Sequence, residues 1–334
     1  MSPNLYLNEC PYRHDSFLIQ VIQDALRDRK GKDFQHTANN TYLREFPIPQ
    51  IELFDALAHD FPLVRAAQAH LNAFYWNVLR GQERVDFLDL GIGRGIQVLE
   101  WLKACPWAGL KEVCIWGIDL HEGALEHSRQ VLNQYRNAFP FKLSFRLFHL
   151  PFEALGTQGL WEQLKTRKRA LIINASLALH HVGDGRALLL KNMAQAGAIA
   201  MGLIEPHAQS YQTSIEERFT SICLHFGALF DYIDGLSLNS GIKKGIKAFL
   251  SNDLYDALAL PDGLRCELYS PGMVWWEAFT QLGMQAAAWD VNPKQLLEWQ
   301  GIRPCSHVPG CWELYRGEVP LLSILHFKSP EINT

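Results

Sequence analysis

Short apolar runs alternate with amphipathic segments through the middle of the chain. Four runs are rich in branched apolar residues, which is typical of buried parallel strands, and they occur at 85–90, 113–118, 170–174 and 198–204. A fifth run, at 142–148, alternates between apolar and polar residues, which predicts a less buried strand. Three intervening segments have apolar residues at helical spacing, and they are 95–104, 122–136 and 153–165. This alternation predicts an α/β fold with a doubly wound, mostly parallel sheet. A helix at 275–282 and strands at 284–289 and 321–327 are predicted to complete it.

Helical patterns without strands lie on both sides of this alternation. Before it, 15–26 and 48–79 have apolar residues at helical spacing, and Pro62 is predicted to divide the second of these into two helices. After it, an apolar stripe covers 215–233, and Thr213 or Ser214 is predicted to cap this helix. We therefore predict an N-terminal arm at 1–80, a core at 81–205 and 271–334, and an insertion at 206–270. The arm and the insertion are predicted to form a helical cap.

A glycine-rich turn follows the first predicted strand. Asp89 precedes Gly91, Gly93 and Gly95 in the spacing D-x-G-x-G-x-G. Glycines let a ligand approach the backbone, and the following helix N-terminus attracts anionic groups. A dinucleotide fingerprint would place its third glycine at Ile96, which disfavours a nicotinamide oxidoreductase. The spacing instead resembles motif I of class I S-adenosylmethionine-dependent methyltransferases, so the sequence predicts a Rossmann-like methyltransferase core.

The end of the second predicted strand strengthens this interpretation. Asp119 stands where an acidic side chain can accept hydrogen bonds from both ribose hydroxyls, as the motif II acid does in that family. The predicted contacts of S-adenosylmethionine are Asp89, Gly91, Gly93, Gly95, Asp119, Leu120, Phe152 and Asn174. The alternative is a glycine turn that binds no ligand, followed by an ordinary strand-end aspartate.

Composition and charge indicate which kinds of partner and which cellular compartment to expect. The chain has 334 residues and a formal net charge of −4, and 48 % of its residues are hydrophobic. Because broad nucleic-acid binding needs a concentrated basic face, no direct nucleic-acid contact is predicted. The sequence contains no run of about 18 apolar residues and no basic start followed by an apolar stretch, so neither a membrane span nor a secretory signal is predicted. Seven cysteines without a C-x-x-C motif fit a reducing, cytoplasmic protein.

With these elements in order, the chain resembles the GRAS family, which is best known from plant transcription regulators such as the DELLA proteins. The resemblance runs from about residue 45 to the end. The family stretch R-F-x-x-A-L-x-Y-Y-S-A-L-F-D-S-L-D is similar to 218–234 here, and the family's P-L-x-S is similar to 320–323. Plant members lack the glycine triplet, whereas this chain retains it together with Asp119. The resemblance therefore implies a bacterial-type GRAS protein with an intact methyltransferase site, and it leaves a protein partner possible.

Candidate catalytic groups follow the fourth and fifth predicted strands. The pair His180 and His181 follows the fourth strand, and Glu205 ends the fifth. Proton removal from an oxygen or nitrogen acceptor needs a base, so we predict His181 as the base and Glu205 as the group that orients it or holds the substrate. Each histidine has a structural alternative, such as bonding a nearby carbonyl. The histidine pair with the distant Glu205 also fits a metal site, but no i, i+4 spacing of ligands supports one, so none is predicted.

Two functions remain open at this point. The preferred one is methyl transfer from S-adenosylmethionine to a small-molecule substrate. The second is a non-catalytic ligand-binding or co-regulator module of GRAS type, in which the cofactor is a structural or sensed ligand.

Overall fold

The structure is a computed structural model that describes residues 10–30, 61–104, 109–167, 169–288 and 301–329. Within these ranges nine strands form one sheet. The strands are β1 (Arg84–Leu90), β2 (Glu112–Asp119), β3 (Lys142–His149), β4 (Ala170–Ser176), β5 (Ala200–Pro206), β6 (Gln285–Ala286), β7 (Ile302–Val308), β8 (Cys311–Arg316) and β9 (Val319–Lys328). The α-helices are α1 (Ser16–Lys30), α2 (Pro62–Val78), α3 (Ile96–Lys103), α4 (Glu122–Tyr135), α5 (Leu160–Thr166), α6 (Arg186–Ala194), α7 (Ile215–Gly235), α8 (Ser240–Ala259) and α9 (Gly272–Gln281).

The sheet has the order β3-β2-β1-β4-β5-β9-β8-β7, and β6 pairs with β9. Strands β1 to β5 are parallel, and β9, β8 and β7 continue the sheet in antiparallel pairs. The chain extends the sheet in one direction from β1 to β3 and then crosses over to place β4 on the other side of β1. Open α/β sheets bind ligands at such a switch point, beyond the carboxyl ends of the strands. The predicted fold class is confirmed.

The C-terminal part of the sheet differs from the prediction. The expected strand at 284–289 is only the two-residue β6, and Trp289 lies outside the described residues. Strands β7 and β8 were not predicted. Most residues of β7 are exposed or half-buried, and Pro304 interrupts its pattern, which suits an edge strand. A hydrophobic pattern alone cannot reveal such a strand.

The segment predicted as one helix at 153–165 is two shorter elements. A 3₁₀ turn covers Phe152–Leu155, and α5 begins after Gly159, whose φ of 61° is left-handed. A left-handed residue cannot continue a right-handed helix, so the helical spacing across 153–165 overstated its length.

Helix α2 packs against the sheet and begins at Pro62, a residue type suited to the first helical position. The predicted helix before Pro62 lies outside the described residues. The Tyr75 hydroxyl donates to Asn174 Oδ1 at 2.9 Å, and the Trp76 and Trp101 rings stack with centroids 4.6 Å apart.

Helices α1, α7 and α8 pack together above the sheet. Ser214 caps α7 in a capping box with Glu217, as one of the two predicted caps. The Phe17 and Phe230 ring centroids are 5.8 Å apart, and Lys247 Nζ lies 2.9 Å from a carboxylate oxygen of Asp15. The apolar stripe of α7 is therefore buried largely by α1, α8 and β9, with Phe61 as its contact just before α2. Among the described helices, none is long and apolar enough to cross a membrane.

Candidate functional site

A cavity of about 480 Å³ lies between the carboxyl ends of the strands and the cap. One side of it, here called the cofactor end, is lined by Asp89, Gly91, Gly93, Asp119, Leu120 and Phe152. The other side, here called the acceptor end, is lined by His180, His181, Phe226, Leu229, Asp253 and Tyr269. This volume lies within the range of roughly 300–1,000 Å³ that small-molecule pockets occupy.

The glycine turn forms the floor of the cofactor end. Gly91 and Gly93 have φ values of 84° and 54°, a region that side chains disfavour. A Cβ at Gly91 would lie 2.8 Å from the Ala178 Cβ, whereas a Cβ at Gly93 would meet no atom within 4 Å. Because Gly93 also lines the cavity, its missing side chain leaves space next to the backbone. That space is a cradle in which a ligand can contact the turn.

Asp119 joins this turn to the start of α4. Its Oδ2 accepts a hydrogen bond from the Gly93 N–H at 2.8 Å, and its Oδ1 accepts one from the His121 N–H at 2.8 Å. Burial raises the pKa of Asp119, while these two bonds oppose the shift. Each carboxylate oxygen retains a second acceptor direction. The Asp119 carboxylate can therefore hold the turn and still accept from a bound hydroxyl.

Asp89 is held from below by a buried amide network. Asn174 Nδ2 donates to Asp89 Oδ1 at 2.7 Å, and Asn174 Oδ1 accepts from Tyr75 and from Gln97 Nε2. Burial raises the pKa of Asp89 to about 7. Asn174 is fully buried and is not among the lining residues, so the structure places it behind Asp89 and not at the cavity wall.

Gly95 is likewise set back from the cavity, where it caps α3 against Ser128. Of the eight predicted cofactor residues, the structure brings six to the cavity, and Gly95 and Asn174 support them from behind.

Glu205 fixes the loop that carries the two histidines. Its carboxylate accepts from the N–H groups of Leu179 and His180, and its Oε2 lies 2.7 Å from His180 Nδ1. Burial raises the pKa of Glu205 to about 7 and lowers that of His180 well below its ordinary value. Both shifts favour the uncharged forms of the pair. The tight turn before them places Leu177 at a left-handed φ of 56°.

The carboxylate next to His181 belongs to Glu267, a residue that the sequence did not predict as part of the site. Glu205 was expected to orient His181, but the structure pairs Glu205 with His180. His181 Nδ1 instead lies 3.3 Å from Glu267 Oε1. Glu267 is fully buried in the segment between α8 and α9, 62 positions after Glu205, and no motif in the sequence marks it.

Comparison with known proteins adds the family context. A model of the GRAS domain family matches residues 18–296. SCL7 of Oryza sativa has the same fold, with a TM-score of 0.79 at 17% identity over 93% of this chain and 89% of that one. The plantazolicin methyltransferase BpumL in complex with SAH gives a TM-score of 0.46 at 12% identity over 94% of this chain and 100% of that one. A SAM dependent methyltransferase from Aquifex aeolicus gives a TM-score of 0.38 at 12% identity, over 86% of this chain and 100% of that one. No curated protein matches the sequence.

Proposed function

The chain belongs to the GRAS domain family, and on that premise we propose that it is an S-adenosylmethionine-dependent methyltransferase acting on a small, largely apolar molecule. The observation that carries this proposal is one continuous cavity that joins the Gly93 cradle and Asp119 to a pair of histidines under an apolar cap.

The cofactor end suits the polar groups of S-adenosylmethionine. The backbone at Gly91 and Gly93 would contact the methionine end, and Asp119 would accept from the ribose hydroxyls. Leu120 and Phe152 line the cavity beyond Asp119 and would contact the adenine ring. The cofactor supplies a methyl group on a positively charged sulfur, which already activates the carbon. The protein then has mainly to align the two reactants, and alignment alone can contribute about 7–11 kcal/mol.

The acceptor end suits a molecule with an apolar body and one polar group. Apolar side chains from α7 and α8 line it, namely Phe226, Leu229, Phe249 and Leu250. His181 reaches the cavity, and burial lowers the pKa of its imidazole, which keeps it neutral near pH 7. A neutral imidazole can accept a proton from a hydroxyl or an amine as the methyl group transfers. Glu205 would hold His180 and the loop in place during this step.

Family membership favours a second candidate function. A GRAS-type ligand-binding or co-regulator module would use the same cavity to bind S-adenosylmethionine without turnover, and it would signal occupancy through the cap or to a protein partner. Both candidate functions predict that the cofactor end binds S-adenosylmethionine. Only the methyltransferase needs the acceptor end to bind a methyl acceptor and to remove its proton.

Transfer of a labelled methyl group tests the proposal. The full chain is incubated with S-adenosylmethionine labelled in its methyl group and with extracts of small apolar metabolites. The expected result is enzyme-dependent appearance of label in the organic phase, which S-adenosylhomocysteine inhibits. Thermal-shift measurements with S-adenosylmethionine, S-adenosylhomocysteine and NAD accompany it. Stabilisation by S-adenosylmethionine with no transfer in any extract would favour the binding module, and stabilisation by NAD alone would refute both.

A further inference from the structure

Three metal-ligating side chains converge at the back of the acceptor end. One ligand atom from each of His180, His181 and Glu267 lies within 4.8 Å of the others. We propose that these three side chains bind a divalent transition-metal ion, with Zn²⁺ as the best match. The sequence prediction of no metal site relied on local histidine spacing, and the site proposed here instead joins a histidine pair to a glutamate about 86 positions further along the chain.

The distances fit a tetrahedral ion. Two ligand atoms that are 2.0–2.1 Å from Zn²⁺ and subtend a tetrahedral angle are about 3.4 Å apart. His180 Nε2 lies 3.5 Å from Glu267 Oε2, and His181 Nδ1 lies 3.3 Å from Glu267 Oε1. These two distances use different oxygens of Glu267, and all three ligand atoms lie within 4.8 Å of one another, so the side chains would move closer together to hold one ion.

Each histidine already has the outer partner that metal-bound histidines have. A ligating imidazole generally bonds a carboxylate or a backbone carbonyl through its other ring nitrogen, which fixes the orientation of the ring. His180 Nδ1 is 2.7 Å from Glu205 Oε2, and its Nε2 is the nitrogen that faces Glu267. His181 forms a hydrogen bond with the backbone of Cys266, and its Nδ1 faces Glu267. In this site Glu205 would orient the metal ligand His180.

The backbone around Glu267 is rigidly held. Its N–H donates to Asp256 Oδ1 at 3.0 Å, and its carbonyl oxygen accepts from Ser210 Oγ at 3.0 Å. The next residue, Leu268, donates from its N–H to the His180 carbonyl at 3.0 Å. These bonds tie the segment before α9 to the histidine loop, so the three ligands are preorganised.

Buried carboxyl groups surround this position. The carboxyl groups of Glu205, Glu267 and Asp253 are all buried here, and burying carboxylates is costly unless protons or cations compensate them. A divalent ion between the histidines and Glu267 would neutralise this cluster.

The site would leave one coordination position open towards the cavity. His180 and His181 line the cavity, and three protein ligands with an open position are the pattern of catalytic zinc sites. A hydroxyl or carboxylate oxygen of the acceptor would bind there. The ion would lower the pKa of a bound hydroxyl, whose proton would pass to solvent, and the resulting oxygen anion would take the methyl group and leave S-adenosylhomocysteine. This assignment of an oxygen acceptor depends on the proposed methyl transfer, whereas binding of the ion does not. A nitrogen bound to the ion cannot accept a proton, so His181 would be the base only in the ion-free protein.

Calorimetric titration of the chelator-treated full chain with ZnCl₂ tests the site, and the result expected for the wild type is one tight site per chain. Glu267→Gln keeps the shape of the side chain and should weaken that site by at least tenfold, and His181→Asn should do the same. Glu313→Gln is the matched control, because Glu313 is also buried and lies 3.5 Å from His207 Nδ1 and 3.3 Å from His307 Nε2. Its Zn²⁺ affinity should remain within twofold of the wild type. Circular dichroism confirms that each variant is folded.

Titration with Co²⁺ gives an independent readout. Binding to two imidazoles and a carboxylate should produce visible d–d absorption without a thiolate charge-transfer band, and Glu267→Gln should lose this absorption. Absence of a tight site in the wild type would overturn the proposal. So would a thiolate band, or a loss of affinity in Glu313→Gln equal to that in Glu267→Gln. S-adenosylhomocysteine binding is measured on the same samples, so failure of the metal site and failure of the cofactor site are seen separately.

Discussion

The two ends of the cavity are built in different ways. The cofactor end comes from three adjacent parallel strands, β1, β2 and β3, and from the turns that follow them, so its residues lie within one continuous stretch of sequence from Asp89 to Phe152. The acceptor end combines the loop after β4, the end of β5 and the helices of the cap, and its key carboxylate, Glu267, is far from both histidines in sequence. The cofactor end can therefore be recognised from a sequence motif. The acceptor end cannot, because its residues come together only when the chain folds.

The two ends also differ in what stabilises them. At the cofactor end, backbone groups and one carboxylate hold the turn, as the Gly93 N–H to Asp119 bond shows. At the acceptor end, buried ionisable side chains hold one another, as the pair of Glu205 and His180 shows. We therefore expect substitutions at the cofactor end to change cofactor affinity, and substitutions at the acceptor end to change turnover while cofactor affinity is retained.

His181→Asn should produce the largest effect. Once an acceptor is known, the methyl-transfer rate of the chelator-treated, ion-free protein should fall by roughly a hundredfold to ten-thousandfold, the usual range for loss of a general base. Calorimetric affinity for S-adenosylhomocysteine and the melting temperature should stay close to the wild-type values. His307→Asn, at a half-exposed position on β7, serves as the control. Normal turnover, or a melting temperature many degrees lower, would identify His181 as a structural histidine.

Gly93→Val should nearly abolish cofactor binding. The branched side chain would occupy the cradle and would also force a left-handed φ on a β-branched residue. We expect at least a hundredfold loss of S-adenosylhomocysteine affinity, measured by calorimetry. Gly81→Val is the matched control, because Gly81 has a φ of 82° and an equally open Cβ position but does not line the cavity. If both variants lost affinity equally, backbone strain and not the cradle would be responsible.

Asp119→Ala should weaken cofactor binding less severely. Loss of a charged hydrogen bond costs about 1.5–3 kcal/mol, which corresponds to about tenfold to a hundredfold in affinity. The exposed neighbour Glu122 provides the control, since Glu122→Ala should leave affinity unchanged. Unchanged binding of S-adenosylhomocysteine by Asp119→Ala would contradict the role of Asp119 at the ribose.

Asp89→Asn should alter the pH dependence of stability. Burial raises the pKa of Asp89 to about 7 in the folded chain, and Asp119 and Tyr75 lie nearby. The folded state therefore holds a proton that the unfolded state releases at lower pH. Its contribution to stability is full below about pH 4 and is lost as the pH rises through about 7, with a slope of up to about 1.4 kcal/mol per pH unit. Urea unfolding at several pH values should show this decline in the wild type and a shallower one in Asp89→Asn, in which Glu205, whose pKa burial also raises to about 7, still contributes.

The limits of prediction from the sequence follow the same division. The parallel strands were predictable because each is a short, branched, apolar run, and the glycine turn was predictable because its spacing is local. The positions of β7 and Glu267 were not, since an exposed edge strand with Pro304 has no clear period and a single glutamate has no pattern at all. For Asn174 the sequence predicted the position near the end of a strand but not the direction of the side chain. That side chain lies behind Asp89, where it accepts a hydrogen bond from Tyr75 of α2.

Titration of the wild-type chain with S-adenosylhomocysteine, with NAD in a parallel cell, tests the central claim most directly. The account predicts one site per chain for S-adenosylhomocysteine and no comparable heat with NAD, because Ile96 stands where a dinucleotide site would have a glycine. Absence of S-adenosylhomocysteine binding, or tighter binding of NAD, would contradict it.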